Sequence, residues 1–402
     1  MRILYASMML PYPPTFGKRM EIWTCLCALA AEGHDVTLVS FNDSGQPDVD
    51  PAMLARVCRK VDIVPLQLSG RMTYLNRLAA LPRADPYDAV RYRSPEFRKR
   101  VEQHLAGGKF DAVICGEVFM LQNVPVRSSV PVILKKDHIA ATIFQRHARY
   151  EQNLLKKAYA FIEYRKTARW EKRVCRQASA IMACSELERQ VLQNLCPGIP
   201  VTVGPNVVNI EAYTSSEASD DYAVLYSGLL DWSPNQDAVM FFVRSILPHL
   251  RRMVPSVRFL VAGRSSSDYF RRRISRFEGV EFIGTVPDMR PVLSRAAVCV
   301  VPLRIGSGTR FKILEAAAMG KAVVSTTIGA EGLTLVNGTE ILIEDEPESF
   351  ARAVASLLND DVRRHQMGLA AYERISTAYS IHVLRKALRE TLALVVPTAC
   401  TR

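Results

Sequence analysis

Along the first half of the chain, short runs of apolar residues alternate with longer stretches whose apolar positions recur every three or four residues. The runs are RILYAS (2–7), VTLVSF (36–41), VDIVPL (61–66), FDAVICGE (110–117), VPVILKKDH (130–138), ASAIMACS (178–185) and IPVTVGPNVV (199–208). Apolarity without polar alternation suits strands buried on both faces. Helical spacing between the runs, as at 20–32, supplies the crossovers, so the pattern predicts a parallel sheet covered by helices. An acidic, serine-rich stretch, EAYTSSEASDD (211–221), interrupts the series as a linker would. The alternation then resumes with YAVLYSG (222–228), VRFLVAG (257–263), VEFIG (280–284), AVCVVPL (297–303), KAVVSTT (321–327) and EILIED (340–345). The chain reads as α/β, with two Rossmann-like halves. Residues 143–176 carry no strand pattern and predict one or two long basic helices with interleaved aromatics, read most simply as core packing with a solvated face and more sharply as a surface that rests on lipid headgroups, and residues 379–396 form an amphipathic helix at the end of the second half.

Length and composition fit this picture. At 402 residues, 49% of them apolar, the chain exceeds what one hydrophobic core usually organises. No apolar run is long enough to span a bilayer, and prolines interrupt the N-terminal MRILYASMML too early for a secretory signal, so a cytosolic protein is expected. Nine cysteines are scattered without a CxxC pair, which indicates reduced thiols and no zinc site. The net charge of +12 is uneven: residues 1–205 hold 29 Lys and Arg against 19 Asp and Glu, the remainder 23 against 21. A basic first half suits an anionic substrate, an anionic membrane surface or nucleic acid, or is a solvated face with no special partner.

The densest chemistry lies in GSGTRFKILEAAAMG (306–320). After a buried strand, the turn Gly306-Ser307-Gly308 would aim backbone amides outward at the start of a helix beginning near Thr309. Such a start attracts phosphate, and Arg310 and Lys312 add full charges. On an ideal helix these two lie about 200° apart, so they reach one ligand only if Arg310 precedes the regular helix. Glu315, three residues after Lys312, shares its face and suits a ribose diol. The combination points to a nucleotide diphosphate. The plainer alternative is that Thr309 caps the helix while Lys312 and Glu315 pair on the surface.

At these residues the chain resembles retaining GT-B glycosyltransferases of the glycosyltransferase family 4 kind, also called glycosyl transferases group 1, in a variant with a Gly-rich turn followed by Thr-Arg-x-Lys. The resemblance spans nearly the whole chain, through PYPPTFGKRMEIWTCLCALAAEGHDVTLVS, KKDHIA, ACSELER, GPNVV, LLDWSPNQDAVMFF and VPLRIGSGTRFKILEAAAMGKAVVSTTIGAEGL. It implies two Rossmann-like domains facing each other across a cleft: an acceptor-binding domain at 1–208, a nucleotide-sugar-binding domain at 209–380, and a terminal helix at 381–402 crossing back to the first. It further implies that Arg310 and Lys312, with the amides of Ser307, Gly308 and Thr309, hold the diphosphate, while Glu315 holds the ribose. Gly17 and Lys18 would approach the diphosphate from the first domain, Gly228 would let backbone pass close to the phosphates, and the turn at Val286 would lie against the base. His138 would sit beside the transferred sugar, where the plainer reading is a hydrogen-bonded core histidine. Glu117 and Asn206 would line the cleft.

One position departs from the family pattern. Ser307 stands where a glutamate usually grips hydroxyls of the donor sugar, so those contacts must come from elsewhere. The resemblance implies a metal-independent transfer with no cofactor beyond the donor, a UDP- or GDP-linked sugar. The acceptor is expected to be lipid-linked or otherwise anionic, as in polysaccharide or glycolipid assembly in a bacterium, at the inner face of the cytoplasmic membrane. Three alternatives share the architecture: a nucleotide-sugar 2-epimerase, which would turn over without an acceptor; a DNA-modifying glycosyltransferase, for which no recognition helix or stacking platform is visible; and an inactive partner subunit, which would bind no nucleotide.

Overall fold

Parallel pairing, which continuously apolar strands demand, runs through both halves of the protein. A computed structural model describes residues 1–43, 51–66, 77, 79–125, 129–213, 220–264 and 268–396. The chain divides into two units, one of Met1–Pro14, Lys18–Asn206 and the chain from Ile381 on, the other of Thr15–Gly17 with Val207–Ser380.

In the first unit, β1 (Arg2–Ser7), β2 (Asp35–Asp43), β3 (Lys60–Leu66), β4 (Ala112–Cys115), β5 (Val132–Lys136), β6 (Ala180–Ala183) and β7 (Val201–Val203) form a parallel sheet in the order β3-β2-β1-β4-β5-β6-β7. Tyr5 of β1 stands against Leu38 on one side and Ile114 on the other. Alternate residues Leu4, Ala6, Val113, Cys115, Ile181 and Ala183 join Phe97, Phe119 and Trp170 in one apolar cluster. The intervening Ile3, Tyr5, Ala112, Ile114, Ala180 and Met182 are fully buried on the opposite face. Burial on both faces is why these strands read as apolar runs.

The basic segment resolves into two helices, Ala140–Tyr150 and Leu154–Cys175. The side chain of Asn153 accepts hydrogen bonds from the amides of Leu155 and Lys156 and so starts the second helix. Trp170 of that helix stacks on Phe119 with ring centroids 5.2 Å apart. The helix Ile381–Val395 packs on β6 and β7. There the Thr391 and Thr202 hydroxyls meet at 2.6 Å, and Arg385 and Arg389 both reach Glu32, at 2.5 and 2.8 Å.

In the second unit, β8 (Asp220–Ser227), β9 (Arg258–Ala262), β10 (Val280–Gly284), β11 (Ala296–Val301), β12 (Ala322–Ser325) and β13 (Leu342–Ile343) are parallel in the order β10-β9-β8-β11-β12-β13. EILIED contributes only the two residues of β13, paired to β12 at the sheet edge. Of the acidic linker, a 3₁₀ turn at Ile210–Ala212 and the start of β8 are seen, while 214–219 lie outside the described residues. All eight described cysteines are free thiols, and Cys400 lies outside the described residues. Among the described residues no helix is long and apolar enough to cross a membrane.

Candidate functional site

In an open parallel sheet, ligands bind beyond the carboxyl ends of the strands, where the strand order reverses. In the second unit that point lies between β8 and β11. Three strands there end on glycine, at Gly228, Gly263 and Gly284, with the Gly228 amide donating to Ala262 O and the Gly263 amide to Gly284 O. Gly263 has φ +134°, and a Cβ placed on it would lie 1.8 Å from the Gly228 carbonyl oxygen. Gly263→Ala is therefore expected to cost about 2–4 kcal/mol, since two backbones must separate. A melting temperature equal to wild type would show that these strand ends do not need the close approach.

Beyond β11 the chain turns through Gly308 (φ 81°) and reaches Arg310, whose extended backbone (φ −106°, ψ 108°) caps the helix Phe311–Ala318. The regular helix thus starts two residues later than Thr309, and Arg310 belongs to the irregular approach, as shared reach with Lys312 requires. The side chain of Arg310, the N-cap residue, makes no capping hydrogen bond to this helix start. The guanidinium of Arg310 turns back, donating from Nη1 to the carbonyls of Ser307 (2.5 Å) and Gly308 and from Nη2 to Ile328 O (3.2 Å). With Arg310, Ser307 and Thr309 buried, the arginine braces the turn that leads into this helix.

Lys312 and Glu315 do not pair. Lys312 Nζ donates to the Tyr226 hydroxyl (2.8 Å) and Asn235 Oδ1 (3.1 Å) and lies 3.9 Å from the centroid of the Tyr226 ring. A Cβ on Gly228 would sit 2.7 Å from the same nitrogen, so the glycine leaves room for the cation at the end of β8. Burial, aided by Arg310, pulls the Lys312 ammonium well below the ordinary lysine range, with Glu315 opposing. Among the described residues no carboxylate forms an ion pair with it, so a dianion arriving there meets a cation that gains a counter-charge. Glu315 accepts from the Tyr213 hydroxyl at 3.1 Å. Burial pushes its carboxyl up to about 7, against the opposing effects of Tyr213 and Lys312. Val286 is half-buried in the turn after β10, and two residues on Asp288 holds Arg290, whose Nη1 donates to Ala212 O at 2.7 Å.

In the first unit the order reverses between β1 and β4, and a charge cluster stands at that end of the sheet. Gly17 opens the helix Gly17–Ala31. Lys18 Nζ lies 2.6 Å from Glu21, 3.2 Å from Glu117 and 3.3 Å from Asp137, and donates to Gly116 O at 2.7 Å. Burial lowers its pKa, but Asp137, Glu117 and Glu21 together carry it well above the usual lysine range. The ammonium expected to meet a diphosphate is therefore bound to three carboxylates. His138 Nδ1 sits 2.7 Å from Asp137 Oδ1. Its pKa is raised because Asp137 and Glu117 outweigh the burial that lowers it. Glu117, Asp137 and His138 bring one ligand atom each within 4.8 Å of one another, with the Lys18 nitrogen already between the two carboxylates. Asn206 joins the cluster through Lys135, which pairs with Glu21 at 2.6 Å.

Three partners at the second site were not anticipated from sequence. Tyr213 lay in the stretch read as linker, Tyr226 in an apolar strand where only its polar tip could have signalled a role, and Asn235 in a helix start of otherwise ordinary composition.

Two α/β units of parallel sheet, the second with strands that end on glycine beside its switch point, define a two-domain Rossmann-like protein of GT-B type. Residues 22–212 match the sequence model described as Glycosyltransferase Family 4, and residues 221–360 that described as Glycosyl transferases group 1. The chain carries these two domains and is a glycosyltransferase. It is 21% identical over 387 residues to an uncharacterized 44.6 kDa protein in the cps region of Klebsiella pneumoniae, covering 94% of this chain and 96% of that one. Sucrose-phosphate synthase from Thermosynechococcus elongatus shares its fold with a TM-score of 0.74 at 16% identity, over 97% of this chain and 98% of that one. HepE from Anabaena, solved in complex with UDP-glucose, does so with a TM-score of 0.68 at 14% identity, over 98% and 99%.

Proposed function

We propose that the protein transfers a hexose from a UDP- or GDP-linked donor, with retention at the anomeric carbon and without a metal ion, to a lipid-linked or otherwise anionic acceptor. The observation that carries this reading is Lys312, a partly buried cation with no carboxylate in ion-pair contact among the described residues, at the end of β8 beside Gly228 and at the start of the helix that bears Glu315. In this reading Lys312 and the first amides of the helix take the diphosphate, Glu315 the ribose hydroxyls, and the turn at Val286 the base. Arg310 acts through the turn that it braces. Binding of UDP-glucose by HepE supports a nucleotide-sugar donor.

In the transfer, the bond from the anomeric carbon to the diphosphate oxygen breaks and a bond to the acceptor oxygen forms, while the acceptor's proton passes to the departing phosphate. Charge on that leaving group is met by Lys312 and the helix amides. Retention rests on the family resemblance. Metal independence is supported by Lys18, whose ammonium already pairs with Glu117 and Asp137, two of the three groups that could otherwise ligate a divalent ion with His138. His138, held by Asp137, serves the sugar side. The basic first unit favours an anionic acceptor, and the enzyme works on the cytoplasmic side of the membrane.

Thermal stabilisation by UDP, GDP, ADP and dTDP tests the donor reading: one nucleotide should raise the melting temperature, and no shift with any of them overturns it. Turnover of the donor without an acceptor would instead make the protein an epimerase. Affinity for the nucleotide is expected to be bell-shaped in pH. Below about pH 7 Glu315 takes up a proton and loses its charge toward the ribose. As pH rises, Lys312, which burial and Arg310 hold well below the ordinary lysine range, loses its proton and with it the attraction for phosphate. Calorimetric titration from about pH 5.5 to about pH 9.5 reads both limbs. Glu315→Gln should erase the acid limb only, and a persisting acid limb would assign it to another group.

A further inference from the structure

The helical hairpin of the first unit carries a face that the transferase reading does not use. On the helix Leu154–Cys175, Leu154 and Leu155 are 79% and 84% exposed, and Phe161 and Ile162 are 54% and 40% exposed. With Ala158 they recur three and four residues apart and so share one side of the helix. Arg165, Arg169 and Lys172, all exposed, continue that side toward the C-terminus, and Arg149, Lys156 and Lys157 flank its apolar end. Between this helix and Ala140–Tyr150 runs an open groove of about 790 Å³, lined among others by Thr142, Arg146, Arg149, Leu154, Lys157 and Phe161.

The two carboxylates of the helix Leu154–Cys175 are turned away from this face. Glu163 is buried, accepting from the Tyr87 amide at 2.9 Å, and Glu171 is buried against Lys136 at 2.6 Å. Glu151, at the hairpin turn, accepts from the Asn153 amide at 2.9 Å. The exposed face of the second helix is thus apolar at one end and basic along the rest, with no acid of its own.

We infer that this hairpin is a membrane-docking surface: Leu154, Leu155, Phe161 and Ile162 enter the headgroup layer of an anionic bilayer while the surrounding arginines and lysines hold lipid phosphates. Apolar residues ringed by cations fit the boundary between acyl chains and anionic headgroups. A second copy of the chain would bring like charges face to face around the same leucines. Nucleic acid gains little from this face, where Leu154, Leu155 and Ile162 offer bases no stacking surface and Phe161 alone of the four does. The inference deepens the acceptor reading, on which it rests for its purpose: docking would hold the acceptor domain at the surface where a lipid-linked acceptor resides.

The test is co-sedimentation of the full chain with vesicles of phosphatidylcholine alone or mixed about three to one with phosphatidylglycerol. Binding should require phosphatidylglycerol, weaken with salt, and fall about tenfold or more in Leu154→Ser/Leu155→Ser and in Arg149→Gln/Lys157→Gln. Nucleotide-induced thermal stabilisation, read at the other unit, should stay intact in both variants. Equal binding to both vesicle types, or unchanged binding in both variants, overturns the proposal. So does a dimer in sedimentation velocity that the leucine variant abolishes, or a single-stranded oligonucleotide that binds the same face more tightly than the vesicles. Transfer to a detergent-dispersed lipid acceptor reads the acceptor hypothesis separately, so failure of docking and failure of that hypothesis are distinguishable.

Discussion

Lys312→Ala is expected to lower kcat/KM for sugar transfer by about 10²–10³-fold, the usual loss when one preorganised charge stabiliser is removed, and to remove the thermal stabilisation that the donor's nucleotide gives. The fold should survive the change. Tyr226 and Asn235, the two groups to which Lys312 donates, are already bonded to each other, the tyrosine hydroxyl to Asn235 Oδ1 at 2.6 Å. Asn235 also donates to Leu229 O at 2.8 Å. Alanine therefore strands neither acceptor, and it relieves a desolvated cation that Arg310 disfavours. Stability should change little while catalysis changes much, which separates a ligand-binding role from a packing role. Lys312→Arg should not rescue, because the larger fork must fit where a Cβ on Gly228 would already come within 2.7 Å of the lysine nitrogen. If the alanine variant still gains stability from the nucleotide, the diphosphate is held elsewhere and the assignment of residues 306–315 fails.

How far the sequence reveals this arrangement depends on the range over which each feature is determined. Strands such as RILYAS and AVCVVPL are legible because burial on both faces leaves a local, continuous apolar signature. The turn at Gly306-Ser307-Gly308 is legible because Gly308 adopts a positive φ and the residues that follow are few and charged. EILIED reads as a full strand yet pairs through only two residues, since an edge position is set by its neighbour and not by its own composition. The partners of the charged groups lie far off in sequence. Lys18 looks like a free cation until Glu117 and Asp137 arrive from about a hundred residues away. Lys312 and Glu315 have the spacing of a helical surface pair, but Tyr226, Asn235 and Tyr213 claim them instead. A local pattern specifies which elements form; which side chain satisfies which is decided by the strand order, which brings the ends of β1, β4 and β5 together in one unit and those of β8 and β11 in the other.

Glu171 shows the energetic consequence of such a distant pairing, and Glu171→Ala is expected to cost the most stability of any change considered. The carboxylate is buried in the helix Leu154–Cys175 and does three things at once: it pairs with Lys136 at 2.6 Å, and it accepts from the amides of Ala140 and Ala141 at 3.0 and 3.3 Å. Alanine leaves a fully buried ammonium and two helix-start amides without their acceptor, a loss of about 3–5 kcal/mol. In a unit of this size that lowers its melting temperature by about 10 °C or more. The pH dependence should change sign. In the wild type, burial lowers the Lys136 pKa but Glu171 more than restores it, so the lysine lies above its ordinary value. Its contribution is complete below the unfolded lysine pKa of about 10.4 and is lost as pH climbs through the raised folded value. Without Glu171 the lowering effect of burial, the largest influence, is opposed only by the weaker pull of Cys175 and Glu117, so the variant should gain stability as pH rises toward about 10.4. Lys136→Met combined with Glu171→Leu should recover part of the loss but not all, because the amides of Ala140 and Ala141 stay unpaired. Those amides begin two residues after His138, so a stable double variant that still transfers sugar poorly would show that the ion pair also positions the histidine. One with full activity would confine Glu171 to folding.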